Sequence, residues 1–367
     1  MNTAKNRYLS LDVFRGMDVA LMIIVNSPGD RSAIFAPLKH AVWNGFTLTD
    51  LVFPTFLFVV GNAMSFSMKK YQGMGDAAFF KKVLKRFSII FILGFLMYWF
   101  PFLENGHIKP LAETRIFGVL QRIALCYLFA SILLYYFKTR TVVVFSLLAL
   151  LGYHLLLVSF GDLTLLGNAV LKLDKFLIGA DHMHHGNGGV AFDPEGLLST
   201  LPAIVNVIAG YLTGKFIQKN GQNYETIAKL LMVGFALLIA AFAWDLILPI
   251  NKKLWTSSFV LLTCGIDLFI IAVLIYLLDM TKCFKRTYFF EVFGRNTLFI
   301  YLLSELFIIS LSKISVKDTT AYAWIADKIF NTLAGDYLGS FLFALWVMLT
   351  CWVVGYVMDK KGIYVKV

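Results

Sequence analysis

The chain has 367 residues, is 59% hydrophobic and only 15% charged, and has a mean hydropathy of +0.75. These values exclude a soluble globular domain and read as an all-α, polytopic membrane helical bundle. A net charge of +11 raises nucleic acid as a partner, but the basic residues alternate between apolar segments and form no stripe, so none is expected.

A spanning helix needs roughly 20 predominantly apolar residues. Ten windows qualify, near residues 11–27, 46–68, 87–103, 117–137, 141–160, 196–217, 228–249, 255–279, 290–312 and 338–358. With the N-terminus cytoplasmic, the inner segments carry Lys5, Arg7, Arg15, Lys69, Lys70, Lys81, Lys82, Lys85, Arg86, Lys138, Arg140, Lys215, Lys219, Lys229, Lys282, Lys285, Arg286, Lys360, Lys361 and Lys366. The outer segments carry about half as many, and an even number of spans returns the C-terminus to the cytoplasm. The expected setting is a multi-pass protein of the cell (inner) membrane, with residues 1–367 forming one transmembrane domain.

The first apolar segment follows Lys5 and Arg7, but Asp12, Arg15 and Asp18 interrupt it and no A-x-A site follows, so it reads as a retained helix. Asp12 and Arg15 have the spacing of a helix cap with an i, i+3 ion pair. Asn26 closes this span in "IIVNSPG", either as a helix exit or as an amide donor facing a pocket.

Next comes "LKHAVWNGFTLTDLVFPTFLFVVGN", where His40 borders a very apolar run and Asp50 enters it. An ionised, unpaired Asp50 would be expensive there. It is either the cap of the second span or the partner that orients His40 and stabilises its imidazolium form.

Farther on, "GVLQRIALCY" places Gln121 and Arg122 in a span, and "FGRNTLFIYLLSE" places Arg295, Asn296 and Glu305 in another. The arginines are snorkelling structural charges or ligands for a polyanion, since a guanidinium matches phosphate bidentately. "FDPEGLLSTLPAIVNVIAG" reads as a helix start capped by Asp193, with Pro194 in the first turn and Asn206 unexplained. His182, His184 and His185 lack the carboxylate or cysteine cluster of a metal site, and read as a solvated or sugar-contacting loop.

"PINKKLW" sets Asn251, Lys252 and Lys253 where a ligand could be met, with Trp255 as an interfacial belt residue. Cys126, Cys264, Cys283 and Cys351 read as small packing residues. The long loops 28–45, 161–195 and 313–337 all fall outside, which points to an extracytoplasmic ligand.

In this order, "RYLSLDVFRGMDVALMIIVN", "LKHAVWNGFTLTDLVFPTFLFVVGNAMSFSM", "GVLQRIALCY", "FDPEGLLSTLPAIVNVIAGYLTG" and "PINKKLWTSSFVLLTCG" resemble blocks of the heparan-alpha-glucosaminide N-acetyltransferase family. Some of its bacterial members are described as N-acetylglucosamine transporters. The resemblance implies a multi-pass enzyme that takes acetyl from cytoplasmic acetyl-CoA and delivers it to an amino sugar on the far side. It makes His40 the catalytic histidine, maps Asn26 onto the family's asparagine, and suggests a homodimer. Two departures stand: the large outer domain of animal members has no counterpart ahead of the first block, and "YLLSE" puts Ser304 where some members have histidine. A lysosomal location and a heparan substrate are therefore not carried over.

Acetyl transfer from a thioester to an amine needs a base for the amine proton and donors for the oxyanion. His40, with Asp50 beside it, suits the base or a transient acetyl acceptor, and Asn26 or Asn44 suits the donor. Trp43, Asn44, Gln121, Arg122, Asn251, Arg295, Asn296 and Glu305 are the candidate substrate or cofactor contacts. The rival expectation is an amino-sugar permease in which polar residues line a path and no bond is made.

Overall fold

The computed structural model describes residues 8–365 apart from 72, 105, 187, 188 and 284–286. Lys5, Arg7, Lys285, Arg286 and Lys366 lie outside the described residues. The long helices are α1 Leu9–Asn26, α2 Leu48–Tyr71, α3 Asp76–Trp99, α4 Val119–Tyr136 and α5 Thr139–Phe160. After the short α6 Ala169–Ile178 come α7 Thr200–Asn220, α8 Tyr224–Asp245 and α9 Ser257–Leu274, which runs on as a π-helical turn to Met280. Then follow α10 Tyr288–Arg295, α11 Thr297–Lys313, the short α12 Ala321–Ile325 and α13 Thr332–Ala334, and α14 Asp336–Lys360. The only strands among the described residues form two tiny hairpins, β1 Leu103–Glu104 with β2 His107–Ile108, and β3 Ser315–Val316 with β4 Thr319–Thr320.

Each of the ten predicted windows holds helix, but they are not equivalent. Among the described residues, seven helices are long and apolar enough to cross a membrane, or eight if α10 and α11 count as one bent span. The two are bent by 86°, so the expectation of one continuous helix over 290–312 is corrected. The break falls at Asn296, whose side chain leaves the helix to bind the Ile363 carbonyl (3.0 Å) and the Val365 amide (2.9 Å). The helices α1 and α3 themselves fall short on composition, because α1 carries Asp12, Arg15 and Asp18, and α3 begins ahead of its predicted window and takes in Lys82, Lys85 and Arg86.

The most apolar windows of α2, α7 and α9 are 78%, 72% and 61% buried, against 28% for α5, 22% for α8 and 33% for α14. The first three are the centre of the bundle and the second three its rim. Association in a bilayer gains little from burying apolar surface, so close packing must come from shape. At the α2–α7 crossing a methyl on Gly61 would collide with the Val207 carbonyl, and one on Gly210 with the Phe58 carbonyl. These two glycines let the backbones touch.

The connections at the α1 exit, before α4, before α7, between α8 and α9, and after α11 gather at one end of the bundle. Hydrogen bonds join them: Trp43 to the Leu163 carbonyl, His182 to the Thr114 carbonyl, and Tyr322 to the Pro28 carbonyl. The start of α1, the α9–α10 connection and the end of α14 meet at the other end, through Ser10 with Asp279, Arg15 with Gly294, and Arg295 with Asp359.

Several local expectations change. Trp255 is no belt residue: it is fully buried with φ 54°, donates to Asn206 Oδ1 (3.1 Å), and packs on Phe53 and Phe259. The same bond explains Asn206, which donates in turn to Thr263 Oγ1 (3.1 Å). Asp193 does not cap α7, which begins at Thr200. Asp12 and Arg15 pair at 3.9 Å, but Asp12 lies a turn inside α1 and does not cap it. Cys126, Cys264 and Cys351 are buried as expected, whereas Cys283 is exposed.

Replacing Gly61 with alanine is expected to cost about 1–3 kcal/mol by overpacking. The measurement is the thermal midpoint of the purified protein in detergent, with Gly210→Ala as its reciprocal; unchanged midpoints for both would contradict the close crossing.

Candidate active site

Asp50 stands at the third residue of α2 and is 1% exposed. Its Oδ2 accepts the amides of Ala41 (3.1 Å) and Thr47 (3.0 Å), with the Thr47 hydroxyl also at 3.0 Å, and its Oδ1 lies 2.7 Å from His40 Nδ1. Each of the two sequence readings of Asp50 holds in part. It is not the cap residue itself but, from the third position of α2, accepts the orphan amide of Thr47 at the cap position, and it binds the imidazole, whose charged form stays disfavoured on balance. An acceptor-only carboxylate on Nδ1 assigns the proton to that nitrogen and the lone pair to Nε2.

The "WNG" that follows His40 holds this turn in place. Gly45, with φ 110°, donates its amide to the Ile250 carbonyl (2.8 Å), and Asn44 Oδ1 accepts Asn251 Nδ2 (3.0 Å). Asn251 Oδ1 accepts the Leu254 amide (2.8 Å), so this fully buried asparagine is spent on structure. Trp43 and Lys253 border a separate, open cavity of about 670 Å³, also lined by Val42, Asn44, Leu163 and Thr164.

His40 and Asn26 line a small cavity of about 50 Å³ with Met22, Val25, Val52, Phe53, Val119, Glu195 and Lys252. Asn26, the last residue of α1, donates one amide hydrogen to Glu305 Oε1 (3.1 Å) and keeps the second. Ser304, at the family's histidine position, bonds back to the Tyr301 carbonyl (2.7 Å) and is buried. Glu195 and Arg115, at this end, are site residues that the sequence reading missed, and Lys252 stood there only as one of the residues that could meet a ligand. Lys252 Nζ lies 3.3 Å and 3.4 Å from the two ring nitrogens of His40. Arg115 clamps Asp193 through two bonds (2.9 and 2.6 Å) and Glu195 through a third (2.7 Å), and leans on the Tyr98 ring.

Electrostatics follow from these contacts. Burial pushes the His40 pKa below its ordinary value, the Asp50 hydrogen bond pulls it up, and Lys252 pushes it down again; the balance is a lowered pKa and a neutral ring at pH 7. Glu195 would be raised by burial, but Arg115, Arg122 and Lys252 hold it below the usual glutamate value. Burial lowers Lys252 against the pull of Glu195 and Asp50.

Arg122 and Gln121 are fully buried on α4. Arg122 donates to the Gly196 carbonyl (3.0 Å) and to Ser199, and stacks over Trp255, so it supports the Glu195 loop at the His40 end. Gln121 packs against Gly94 with no hydrogen-bond partner among the described residues. Arg295 is at the opposite end, bound to Asp359 (2.6 Å) and Glu291 (3.0 Å). There Arg15, Arg86 and Arg295 line a cavity of about 300 Å³ with Phe56, Val60, Ala63, Ile123, Tyr127 and Val365. Among the described residues, no three His, Cys, Asp or Glu side chains group to hold a metal ion.

The two cavities share their walls. Along α2 the His40 cavity takes Thr49, Val52 and Phe53 and the arginine cavity Phe56, Val59, Val60 and Ala63; along α4 they take Val119, and then Ile123 and Tyr127. They are stacked about one helical turn apart.

The chain was compared with known proteins. Residues 7–229 match the family model described as heparan-alpha-glucosaminide N-acetyltransferase, catalytic. The mouse protein named heparan-alpha-glucosaminide N-acetyltransferase is 27% identical over 430 residues, covering 100% of this chain and 61% of its own length. The human protein of that name is 28% identical over 369 residues, covering 82% of this chain and 53% of its own length. The chain thus spans somewhat over half the length of either relative. With the family model matching well over half of the chain, this protein belongs to the heparan-alpha-glucosaminide N-acetyltransferase catalytic family.

Proposed function

We propose that this protein is a transmembrane acetyltransferase of the inner membrane, moving acetyl from cytoplasmic acetyl-CoA to the amino group of an extracytoplasmic amino sugar. The carrying observation is the stacking of the two cavities: a base at one end, with its Nε2 lone pair free of Asp50, and three arginines at the other. The end rich in Lys69, Lys70, Lys81, Lys82 and Lys85 is taken as cytoplasmic.

On this reading Arg15 and Arg86, with Arg295 behind them, hold the nucleotide phosphates of acetyl-CoA. Arg86 is the freest: its Nε has no hydrogen-bond partner among the described residues, and its guanidinium rests 4.6 Å from the centroid of the Tyr127 ring. The pantetheine arm then runs along α2 and α4 past Phe56 and Phe53, and presents the thioester at His40. The sugar approaches from the open cavity beside Trp43, whose indole offers an apolar face.

His40 acts as general base toward the amine, or accepts the acetyl group at Nε2 and passes it on. Asp50 holds the ring in the tautomer both courses need. The spare amide hydrogen of Asn26 is available to the oxyanion.

Three outcomes are expected in detergent with radiolabelled acetyl-CoA and glucosamine. Wild type releases CoA and labels the sugar, while His40→Ala loses about 10²–10⁴-fold in kcat; no transfer by wild type to any amino sugar would sink the enzyme reading, and an active His40→Ala its mechanism. Because the imidazolium is disfavoured in the fold, kcat/KM for acetyl-CoA at saturating acceptor stays level through neutral pH and declines only in acid, with a midpoint below about 6.5. A midpoint above 7 would contradict that placement. Arg86→Gln raises KM for acetyl-CoA about tenfold and leaves kcat nearly unchanged, as expected for a contact made equally in ground and transition states; an unaltered KM would remove the phosphate role.

A further inference from the structure

We propose that Lys252 is a catalytic residue of the acyl transfer, its ammonium receiving the negative charge that develops on the acetyl carbonyl oxygen beside His40. The inference rests on the acetyltransferase reading and adds a residue to that site.

Near-equal distances of 3.3 and 3.4 Å to the two ring nitrogens set Nζ alongside the imidazole, not in line with one lone pair. The Nε2 lone pair is thereby left for chemistry. The loop that carries Lys252 is rigid. The Trp255 amide donates to the Lys252 carbonyl (3.0 Å), the Thr256 amide to the Asn251 carbonyl (3.1 Å), and Trp255 is locked in the core. Its neighbour Lys253 turns the other way, toward Trp43 and the open cavity. One lysine of the pair is thus delivered to the His40 cavity by the fold itself.

The charged groups facing Lys252 and His40 come from two helices and three connections. Asp50 comes from α2, Glu195 and its partner Arg115 from the connections flanking α4 and α7, and Lys253 and Arg122 from the loop itself and from α4. Asp50 and Glu195 attract Lys252 through space, but neither forms an ion pair with it among the described residues. Asp50 is spent on His40, Ala41 and Thr47, and Glu195 on Arg115. Beyond its approach to the His40 ring, the ammonium makes no hydrogen bond among the described residues, which leaves N–H groups for a third partner in the cavity. A positive charge fixed beside a base also opposes its protonation, which a surface salt bridge would not need.

The step balances as follows. The amine lone pair adds to the thioester carbonyl carbon, His40 Nε2 takes the amine proton, and the carbonyl π pair moves to oxygen, where the ammonium meets it. Collapse returns that pair, breaks the C–S bond, and the departing thiolate takes the proton held by His40, giving the amide and CoA thiol. The same oxyanion forms if Nε2 itself makes the first attack. A preorganised donor at this position is worth far more than one in water, because it is already aimed where the charge appears.

The test compares wild type, Lys252→Met, Lys252→Gln and Lys252→Arg in the acetyl-CoA and glucosamine assay, with thermal midpoints as the folding control. Lys252→Met is expected to lower kcat about 10²–10³-fold, to leave KM for acetyl-CoA nearly unchanged, and to move the acid limb of kcat/KM to higher pH, because only burial then opposes Asp50 at His40. Lys252→Arg, which keeps the charge, should recover part of kcat and the wild-type acid limb. Should the methionine variant not fold, Lys252→Gln, of similar reach but neutral, takes its place with the same expectations. A folded neutral variant with kcat close to wild type, or with an acid limb that stays put, overturns the proposal. Absence of transfer by wild type itself would instead sink the acetyltransferase reading.

Discussion

A carboxylate with 1% of its surface exposed at the mouth of a membrane helix has to collect donors, and the surroundings of Asp50 follow from that need. Two backbone amides, a threonine hydroxyl and an imidazole converge on it. Supplying the amides bends residues 39–47 back over the start of α2. Supplying the imidazole fixes the tautomer of His40 and turns its other nitrogen away. Gly45 and Asn44 then tie the same turn to the loop before α9, bringing Lys252 to the ring. The arrangement of His40 and Lys252 is a by-product of satisfying one buried anion.

A second buried anion pair is handled differently. Asp193 and Glu195 are drawn together by Arg115, which is braced against Tyr98, while Arg122 holds the next carbonyl from beneath. Two arginines and two acids in one outer loop system place Glu195 at the cavity wall without an isolated charge. The cavity is therefore polar on the loop side and apolar on the helix side, which is the asymmetry that the proposed transfer requires.

Much of this was legible in the sequence. Apolar windows located every long helix, and the pairing of His40 with Asp50 was one of two readings weighed for those residues. Helix breaks were less visible: the 290–312 window stays apolar across Asn296, because the break is made by a side chain binding residues 363 and 365, far away in the chain. Trp255 looked interfacial because hydropathy cannot see a buried hydrogen bond to Asn206. Glu195 and Arg115 escaped because "FDPEG" has the local chemistry of a helix start, and its partner sits some 80 residues earlier on another loop. Charge pairing between loops leaves no periodic trace. In the sequence Arg86 shows only as a positive-inside charge and Arg15 as that and the partner of Asp12, yet both line the far cavity.

The wall of that far cavity is of mixed construction. Most of it is helix, but Val365 belongs to the segment after α14, which Asn296 holds by two hydrogen bonds. Each is worth about 0.5–1.5 kcal/mol net, a small sum beside the cost of parting packed helices. With Tyr364 donating to Asp359 as well (2.9 Å), this part of the wall rests on a few hydrogen bonds and not on helix packing, so bulk attached near residue 365 would bear on the cavity before it bore on the bundle.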